Sequence, residues 1–163
     1  MDKIRKQILL TLETNSRIDL SELAVLLGTD EVTIANEVAA MEKEHIICGY
    51  HTLIDWDRAG ESLVNALIEV RVTPQRDQGF DKVAERIYNY PEVYAVYLIS
   101  GGYDLLVTIE GRTLQEISHF VSGKLSPIDE VISTATYFIL KKYKDHGTVL
   151  AKPSKGERML ITP

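Results

Sequence analysis

The sequence has only one cysteine, Cys48, which excludes a disulfide within the chain and a cysteine-rich zinc site. Long hydrophobic runs are also missing, since no apolar stretch approaches the roughly 18 residues that a membrane span needs. The N-terminus mixes charged with apolar residues and lacks the apolar core of a secretory signal. These absences predict a soluble, cytoplasmic protein with no membrane partner.

The motifs of common enzyme classes are absent as well. There is no GxSxG, no Walker loop and no HExxH, and the four histidines are scattered without the spacing of metal ligands. Asp55 and Asp57 place carboxylates on either side of Trp56, but too few further ligands lie nearby, so we interpret both as caps in a hinge. We predict no enzymatic activity, no catalytic residue, no metal site and no cofactor.

Positive charge is scarce in the first third of the chain. Residues 1–60 contain six Lys or Arg against eleven Asp or Glu, a net charge of −5 out of −6 for the whole chain. Bulk attraction to phosphate therefore does not help this segment to bind nucleic acid. What is present is ordinary globular composition, with 45% hydrophobic residues in 163, enough for one medium or two small domains.

Three helices are indicated before residue 50. Asp19 with Glu22 forms a capping-box pattern, Gly28 suits the left-handed end of a helix, and Asp30 suits an N-cap. Apolar residues recur at spacings of three and four in each helix: Ile4, Ile8, Leu9 and Leu12; then Leu20, Leu23, Ala24 and Leu27; then Ile34, Val38 and Met41. The tight turn between the second and third helices predicts a helix-turn-helix.

The chain after these helices changes from helical to strand periodicity. Residues 46–56 are apolar and β-branched around Gly49, which favours a short hairpin or strand leaving the helices. Beyond a boundary near residues 58–61, strand and helix patterns alternate in the order βαββαβ, the ferredoxin-like pattern. The predicted fold class is α+β, with domains at 1–49 (helix-turn-helix) and 62–143 (βαββαβ), a hinge strand or linker at 50–61 and a tail at 144–163.

The predicted sheet implies a partner. Its strands in residues 93–99 and 136–140 are apolar on both faces, whereas two helices cover only one face of four strands. The simplest cover for the other face is a second copy of the same sheet. We therefore expect an obligate homodimer formed through the C-terminal domain.

The chain resembles the Lrp/AsnC family of feast/famine transcriptional regulators over about residues 1–143. The matching residues are Asp2-Lys3-Ile4, Ile8-Leu9, Arg17-Ile18, Glu22-Leu23-Ala24, Gly28, Ile46-Ile47-Cys48-Gly49-Tyr50, Asp55, Gly60, Pro91-Glu92-Val93, Ser100-Gly101-Gly102-Tyr103-Asp104-Leu105 and Thr136-Tyr137-Phe138-Ile139-Leu140. The resemblance implies a sequence-specific regulator in which a winged helix-turn-helix at 1–49 binds double-stranded DNA. It also implies that the βαββαβ domain at 62–143 binds an amino acid or related small metabolite as effector and forms dimers that often assemble into octamers.

The candidate effector site is the loop Ser100, Gly101, Gly102, Tyr103 and Asp104. Its glycines allow backbone N–H groups to approach a ligand closely, and Asp104 offers a partner for an α-ammonium group. A plain hairpin turn capped by Asp104 explains the same residues, but the resemblance implies an effector pocket around this loop. Thr134 and Thr136 are added as further hydroxyl donors.

The candidate DNA-binding residues are Arg17, Thr29, Thr33, Asn36 and Glu37. The family commonly has basic residues at positions that here read Ala35, Asn36, Glu37, Ala39 and Ala40, so basic anchors would have to come from Lys3, Arg5, Lys6 or Arg17. Two hypotheses follow. Either an oligomer makes weak operator contacts effective, or the chain is a metabolite-binding oligomer whose acidic helix-turn-helix no longer binds DNA strongly. The glycine- and proline-interrupted tail after residue 144 has the composition of a partly disordered terminus. The alternative is that Met159 to Thr162 add an edge strand or contact a neighbouring subunit.

Overall fold

The first three helices form where the apolar spacing predicts them. In the computed structural model, which describes residues 2–74 and 79–150, α1 spans Lys3–Thr14, α2 spans Leu20–Leu27 and α3 spans Glu31–Lys43. Their inward faces share one core of buried side chains: Ile8, Leu23, Ala24, Ile34 and Met41. Gly28 ends α2 in the left-handed conformation, with φ of +67°. These helices belong to one of two compact units, residues 1–53 and 54–163.

Two predicted local features of this unit are wrong. Asp19 occupies the N-cap of α2, but its side chain accepts no capping hydrogen bond, so the predicted capping box does not form. Residues 46–55 contain no strand or hairpin. A strand needs a neighbour for its backbone N–H and C=O groups, and the described part of this segment supplies no second strand.

The hinge contains a short helix instead. α4 spans Trp56–Ala59, and the Asp55 side chain accepts a hydrogen bond from the Arg58 amide at 3.1 Å, as expected for a hinge cap. Gly60 closes this turn with φ of +86°. The Arg58 guanidinium also donates to the carbonyl oxygen of Leu150, at 3.0 Å, and so ties α4 to the end of the described chain.

The βαββαβ order is confirmed. The four strands β1 (Val64–Val72), β2 (Val93–Leu98), β3 (Leu105–Gly111) and β4 (Val131–Ile139) form one antiparallel sheet in the order β2-β3-β1-β4. α5 (Asp81–Tyr88) and α6 (Leu114–Phe120) pack on the same face, where alternate strand residues and helix residues share a core. Its fully or nearly fully buried members include Ile68, Val70, Val83, Ile87, Val107, Ile117 and Phe120. The opposite side of the sheet is called the open face below.

The helix that begins with α6 departs from the regular α-helical periodicity that the sequence predicts. After Phe120 the backbone continues as a π-helical turn, Val121–Leu125, rather than as regular α-helix. Within α6 itself, Ile117 and Phe120 are buried at regular α-helical spacing, while Leu114, its first residue, is exposed. The wider turn then brings Leu125 onto the buried face five residues after Phe120. Gly111 lets α6 approach β3, because a Cβ there would lie 3.2 Å from Ile117 Cγ1.

A small hairpin closes the described chain. β5 (Lys144–Asp145) and β6 (Thr148–Val149) pair across His146 and Gly147, whose φ angles of 42° and 78° suit a tight two-residue turn. The candidate strand at residues 159–162 lies outside the described residues. Within the described ranges, no helix is both long enough and apolar enough to cross a membrane.

Candidate functional site

The acidic residues of α3 lie beside its outward surface rather than on it. Val32, Asn36, Ala39 and Lys43 recur at spacings of four, three and four, and all are exposed on the side away from buried Ile34 and Met41. We call these four residues the outward stripe. It contains no carboxylate, and its one charged member is basic.

Most of these acids have partners within the same unit. Asp30 caps the helix by accepting a hydrogen bond from the Thr33 amide at 2.9 Å. Glu42 accepts from the Tyr50 hydroxyl at 2.8 Å, and burial followed by this carboxylate raises the pKa of Tyr50. Glu37 and Glu44 both bind the Arg5 guanidinium, at 2.6 and 2.9 Å. Hydrogen bonds from the Thr33 hydroxyl and amide lower the pKa of Asp30.

The predicted DNA-binding residues fall into two groups. Asn36 is exposed in the outward stripe, and Arg17 is exposed just before α2, where its side chain has no partner in the described part of the chain. Thr29 is half-buried in the turn between α2 and α3. Thr33 donates its hydroxyl proton to Asp30 Oδ2 at 2.6 Å, and Glu37 is paired with Arg5, so both side chains already have partners.

Val32 and Lys43 belong to the same surface and were not among the predicted residues. Val32 is 68% exposed, although it is a large apolar residue on a helix with a formed core. The signal was available in the sequence, because both residues lie opposite Ile34 and Met41 on a helical projection. The prediction relied on residue type at each position instead of on that projection.

Loop 100–104 joins β2 to β3 beside the end of β1. The Asp104 amide donates to the carbonyl oxygen of Val70, and Asp104 Oδ2 accepts from the Val72 amide at 2.9 Å, next to the irregular register at Arg71 and Val72. Arg71 Nε donates to the carbonyl oxygen of Gly102 at 2.9 Å. The carboxylate thus holds the loop against β1 with one oxygen.

The two adjacent glycines of this loop have no internal reason to be glycine. Neither has a positive φ, a Cβ at Gly102 would have no atom within 4 Å, and one at Gly101 would make only an ordinary 3.6 Å contact with Ile99. No hydrogen bond within the described residues uses either amide as a donor. The loop therefore presents two uncovered N–H groups, which is the chemistry that binds a carboxylate.

Thr134 and Thr136 lie on a different side of the sheet from the charged residues near the loop. They pair with Val70 and Ile68, and so share the helix-covered face at the β4 edge. The open face instead has Glu69, Arg71 and Tyr137, which the sequence prediction missed. Tyr137 donates to Glu69 at 3.3 Å, and that negative charge raises the pKa of Tyr137. Charged residues two apart in an otherwise apolar strand were the available signal.

The two best-defined cavities lie away from the predicted site residues. The described residues contain no group of three or more His, Cys, Asp or Glu side chains arranged to hold a metal ion. A cavity of about 340 Å³ beside α6 is lined in part by Glu92, His119 and Lys124, and includes none of the predicted site residues.

The chain matches a known protein family and resembles known transcriptional regulators along most of its length. The family model of the Lrp/AsnC ligand binding domain matches residues 65–149. The uncharacterized HTH-type transcriptional regulator YugG of Bacillus subtilis (strain 168) is 45% identical over 158 residues, covering 96% of this chain and 95% of the relative.

Solved structures agree in fold. The chain is similar to E. coli AsnC with a TM-score of 0.66 at 25% identity, over 87% of this chain and 93% of the other. It is also similar to the transcriptional regulator NMB0573 from Neisseria meningitidis, solved in complex with L-Met, with a TM-score of 0.70 at 24% identity, over 94% and 96%.

Proposed function

Because the chain belongs to the Lrp/AsnC family and is a helix-turn-helix transcriptional regulator, we propose that α3 reads operator DNA through its outward stripe under the control of an amino-acid-like effector. The observation that carries the DNA part is the separation of charge on α3. Its carboxylates cap the helix or lie beside the stripe, whereas Asn36 and Lys43 lie on it.

The outward stripe has suitable chemistry for the major groove. Asn36 can bond adenine through N6 and N7, and Val32 and Ala39 can contact thymine methyl groups. Lys43 and Arg17 supply phosphate contacts from the two ends of the surface. With so few cations, one unit binds weakly, so an oligomer that engages several half-sites together is needed for useful affinity.

A salt titration of the full chain tests this function. Duplexes are selected from a random pool at low salt, and the affinity of the selected duplex is measured over a range of salt concentrations. We expect enrichment of a shared sequence and a logarithmic salt slope of about two for each helix-turn-helix engaged, because about one unit corresponds to each phosphate contact and the contacts of all bound units add. If the chain enriches no duplex even at low salt, the alternative of a metabolite-binding oligomer without strong DNA binding holds.

The effector part rests on loop 100–104. The uncovered amides of Gly101 and Gly102 suit an α-carboxylate, and the remaining oxygen of Asp104 suits an α-ammonium group. Glu69, Arg71 and Tyr137 lie on the adjoining open face, where they could select the side chain of the ligand. The L-Met complex of NMB0573, a protein of the same fold, supports an amino acid as the ligand class.

Replacing Gly102 with valine tests this site without disturbing the chain around it. A Cβ at Gly102 has no neighbour within 4 Å, so the variant should fold with an unchanged unfolding temperature. We expect one or more of the twenty amino acids, screened singly, to raise the unfolding temperature of the unsubstituted chain and not of Gly102→Val. The exposed Gly123→Val is a control at another glycine with open space. An equal response of both variants to the same amino acid would place the site elsewhere.

A dimer formed through the open face completes the proposal. That face exposes Tyr97 and Tyr137 and includes Leu67 and Leu106, an apolar surface in a sheet whose other side is fully packed. A second copy of the same face covers it by twofold symmetry. Further assembly to an octamer would provide the several DNA-binding units that weak individual contacts require.

A further inference from the structure

Arg5 links α1 to α3 through two carboxylates. Its Nε donates to Glu37 Oε2 at 2.6 Å, and its Nη1 donates to Glu44 Oε2 at 2.9 Å. Glu37 and Glu44 are seven residues apart, so they lie two turns apart on one flank of α3. The Arg5 side chain, one of the four candidate basic anchors in the sequence, is only 25% exposed.

This arrangement requires the guanidinium group. Arginine carries five donors on a rigid planar fork and can bind two carboxylates through different nitrogens, whereas lysine offers a single nitrogen. Hydrogen bonds to Glu37 and then to Glu44 raise the pKa of Arg5, so its charge persists throughout the pH range of binding experiments.

The bridge decides what charge the DNA-facing side of α3 presents. Glu37 follows directly after Asn36 in the chain, and Glu44 follows directly after Lys43. Without a counterion, two carboxylates would line one side of the outward stripe and repel the phosphates on that side of the groove. With Arg5 in place, its single positive charge offsets one of the two negative charges, and both carboxylates are held toward α1.

We propose that Arg5 is a positioning residue for DNA reading, which orients α3 against α1 and holds the Glu37 and Glu44 carboxylates away from the outward stripe. The proposal rests on the proposed DNA contact through α3. It removes Glu37 from the residues that read bases, and it removes Arg5 from the residues that contact phosphate.

The test compares three variants of the full chain: Arg5→Gln, Lys6→Gln and the triple variant Arg5→Gln/Glu37→Gln/Glu44→Gln. Lys6 is the adjacent exposed cation on α1, so Lys6→Gln removes the same charge without touching the bridge. Binding is measured to a duplex selected by the unsubstituted chain and to a random duplex of equal length, well below each variant's unfolding midpoint. Arg5→Lys is included because it retains the charge and most of the packing if Arg5→Gln folds poorly.

We expect Arg5→Gln to weaken binding to the selected duplex by about tenfold and to lower the ratio of its affinity to that of the random duplex. Removing Arg5 leaves two carboxylates unpaired beside the DNA, which costs more binding free energy than removing an isolated charge. Lys6→Gln should weaken both duplexes by the same small factor. The triple variant should regain most of the lost affinity, since the carboxylates that Arg5 restrains are gone. Arg5→Lys should lie between the unsubstituted chain and Arg5→Gln.

Three results would overturn the proposal. Arg5→Gln could behave like Lys6→Gln, the triple variant could bind no better than Arg5→Gln, or Arg5→Gln could weaken both duplexes equally while lowering the salt slope by about one, as a phosphate contact does. The first two leave the proposed function intact. If the unsubstituted chain selects no duplex at all, the proposed function fails, and the role of Arg5 in DNA reading fails with it.

Discussion

At the scale of single residues, Asn36 is the polar, uncharged member of the outward stripe and should therefore carry base discrimination. We predict that Asn36→Ala relaxes the preference for adenine at one position of the selected duplex, a loss of about 1–3 kcal/mol of discrimination. Lys43→Gln is the matched control, because losing a phosphate contact weakens all duplexes alike and lowers the salt slope by about one. Selection from a random pool by each variant measures both effects. An unchanged preference for Asn36→Ala would exclude this residue from base reading.

Asp30 gives the helix-turn-helix a defined response to acid. Hydrogen bonds from Thr33 lower its pKa from the usual 3.8, so the carboxylate stabilises the folded state above that pH, and this contribution is lost as pH falls through the lowered pKa. We predict that Asp30→Ala lowers the unfolding temperature at pH 7 and that its deficit shrinks below about pH 4. Asp30→Asn keeps a capping oxygen that does not titrate in this range. Thermal unfolding between pH 3 and 7 checks this, and a deficit that is constant with pH would contradict it.

At the scale of elements, Gly111 at the end of β3 and Gly123 in the π-helical turn after α6 form a matched pair. We predict that Gly111→Ala destabilises the chain by about 1–3 kcal/mol, because the new Cβ would lie 3.2 Å from buried Ile117 and 3.4 Å from Glu116 Oε2. Gly123→Ala meets no atom within 4 Å and should be neutral or stabilising by up to about 1 kcal/mol. Urea unfolding of both variants measures the difference. Equal stabilities would mean that α6 shifts without cost.

Elements were predictable wherever one periodicity dominated. The spacing of Ile34 and Met41 identifies α3, and the alternation of Ile68 and Val70 identifies β1. Periodicity did not reveal the π-helical turn at Val121–Leu125, because the apolar spacing there also fits a regular α-helix, nor that Leu114, the first residue of α6, is exposed. The prediction also failed at residues 46–55, where apolar, β-branched composition favours a strand but the segment pairs with no strand among the described residues.

The sequence predicted candidate site residues only where those residues lie close together in the chain. Loop 100–104 stands out by its composition. The pairing of Arg5 with Glu37 and Glu44 joins residues more than thirty positions apart, which no local pattern reveals. The face occupied by Thr134 likewise depends on strand register, which is fixed only by its pairing with Val70. Composition identified the loop as a candidate site. Only tertiary contacts show which of the candidate side chains already have hydrogen-bond partners.

At the scale of the whole molecule, the proposed dimer uses the open face of the sheet. Leu67 lies at its centre on β1, between Thr108 of β3 and Tyr137 of β4, so a charge there would be buried between two copies. We predict that the unsubstituted chain is a dimer or a larger assembly in solution and that Leu67→Glu is a folded monomer, because an unpaired buried carboxylate opposes association strongly.

Leu114→Glu is the matched control for this prediction. It places the same substitution on a leucine of α6 that is 56% exposed on the helix side of the sheet, and it should leave the assembly unchanged. Sedimentation velocity gives the mass of each variant, and circular dichroism verifies that Leu67→Glu retains its fold. A dimeric Leu67→Glu, or a monomeric Leu114→Glu, would move the interface away from the open face. A monomeric Leu67→Glu that also binds its selected duplex weakly would connect assembly to DNA binding, because single units with few cations need multivalency for affinity.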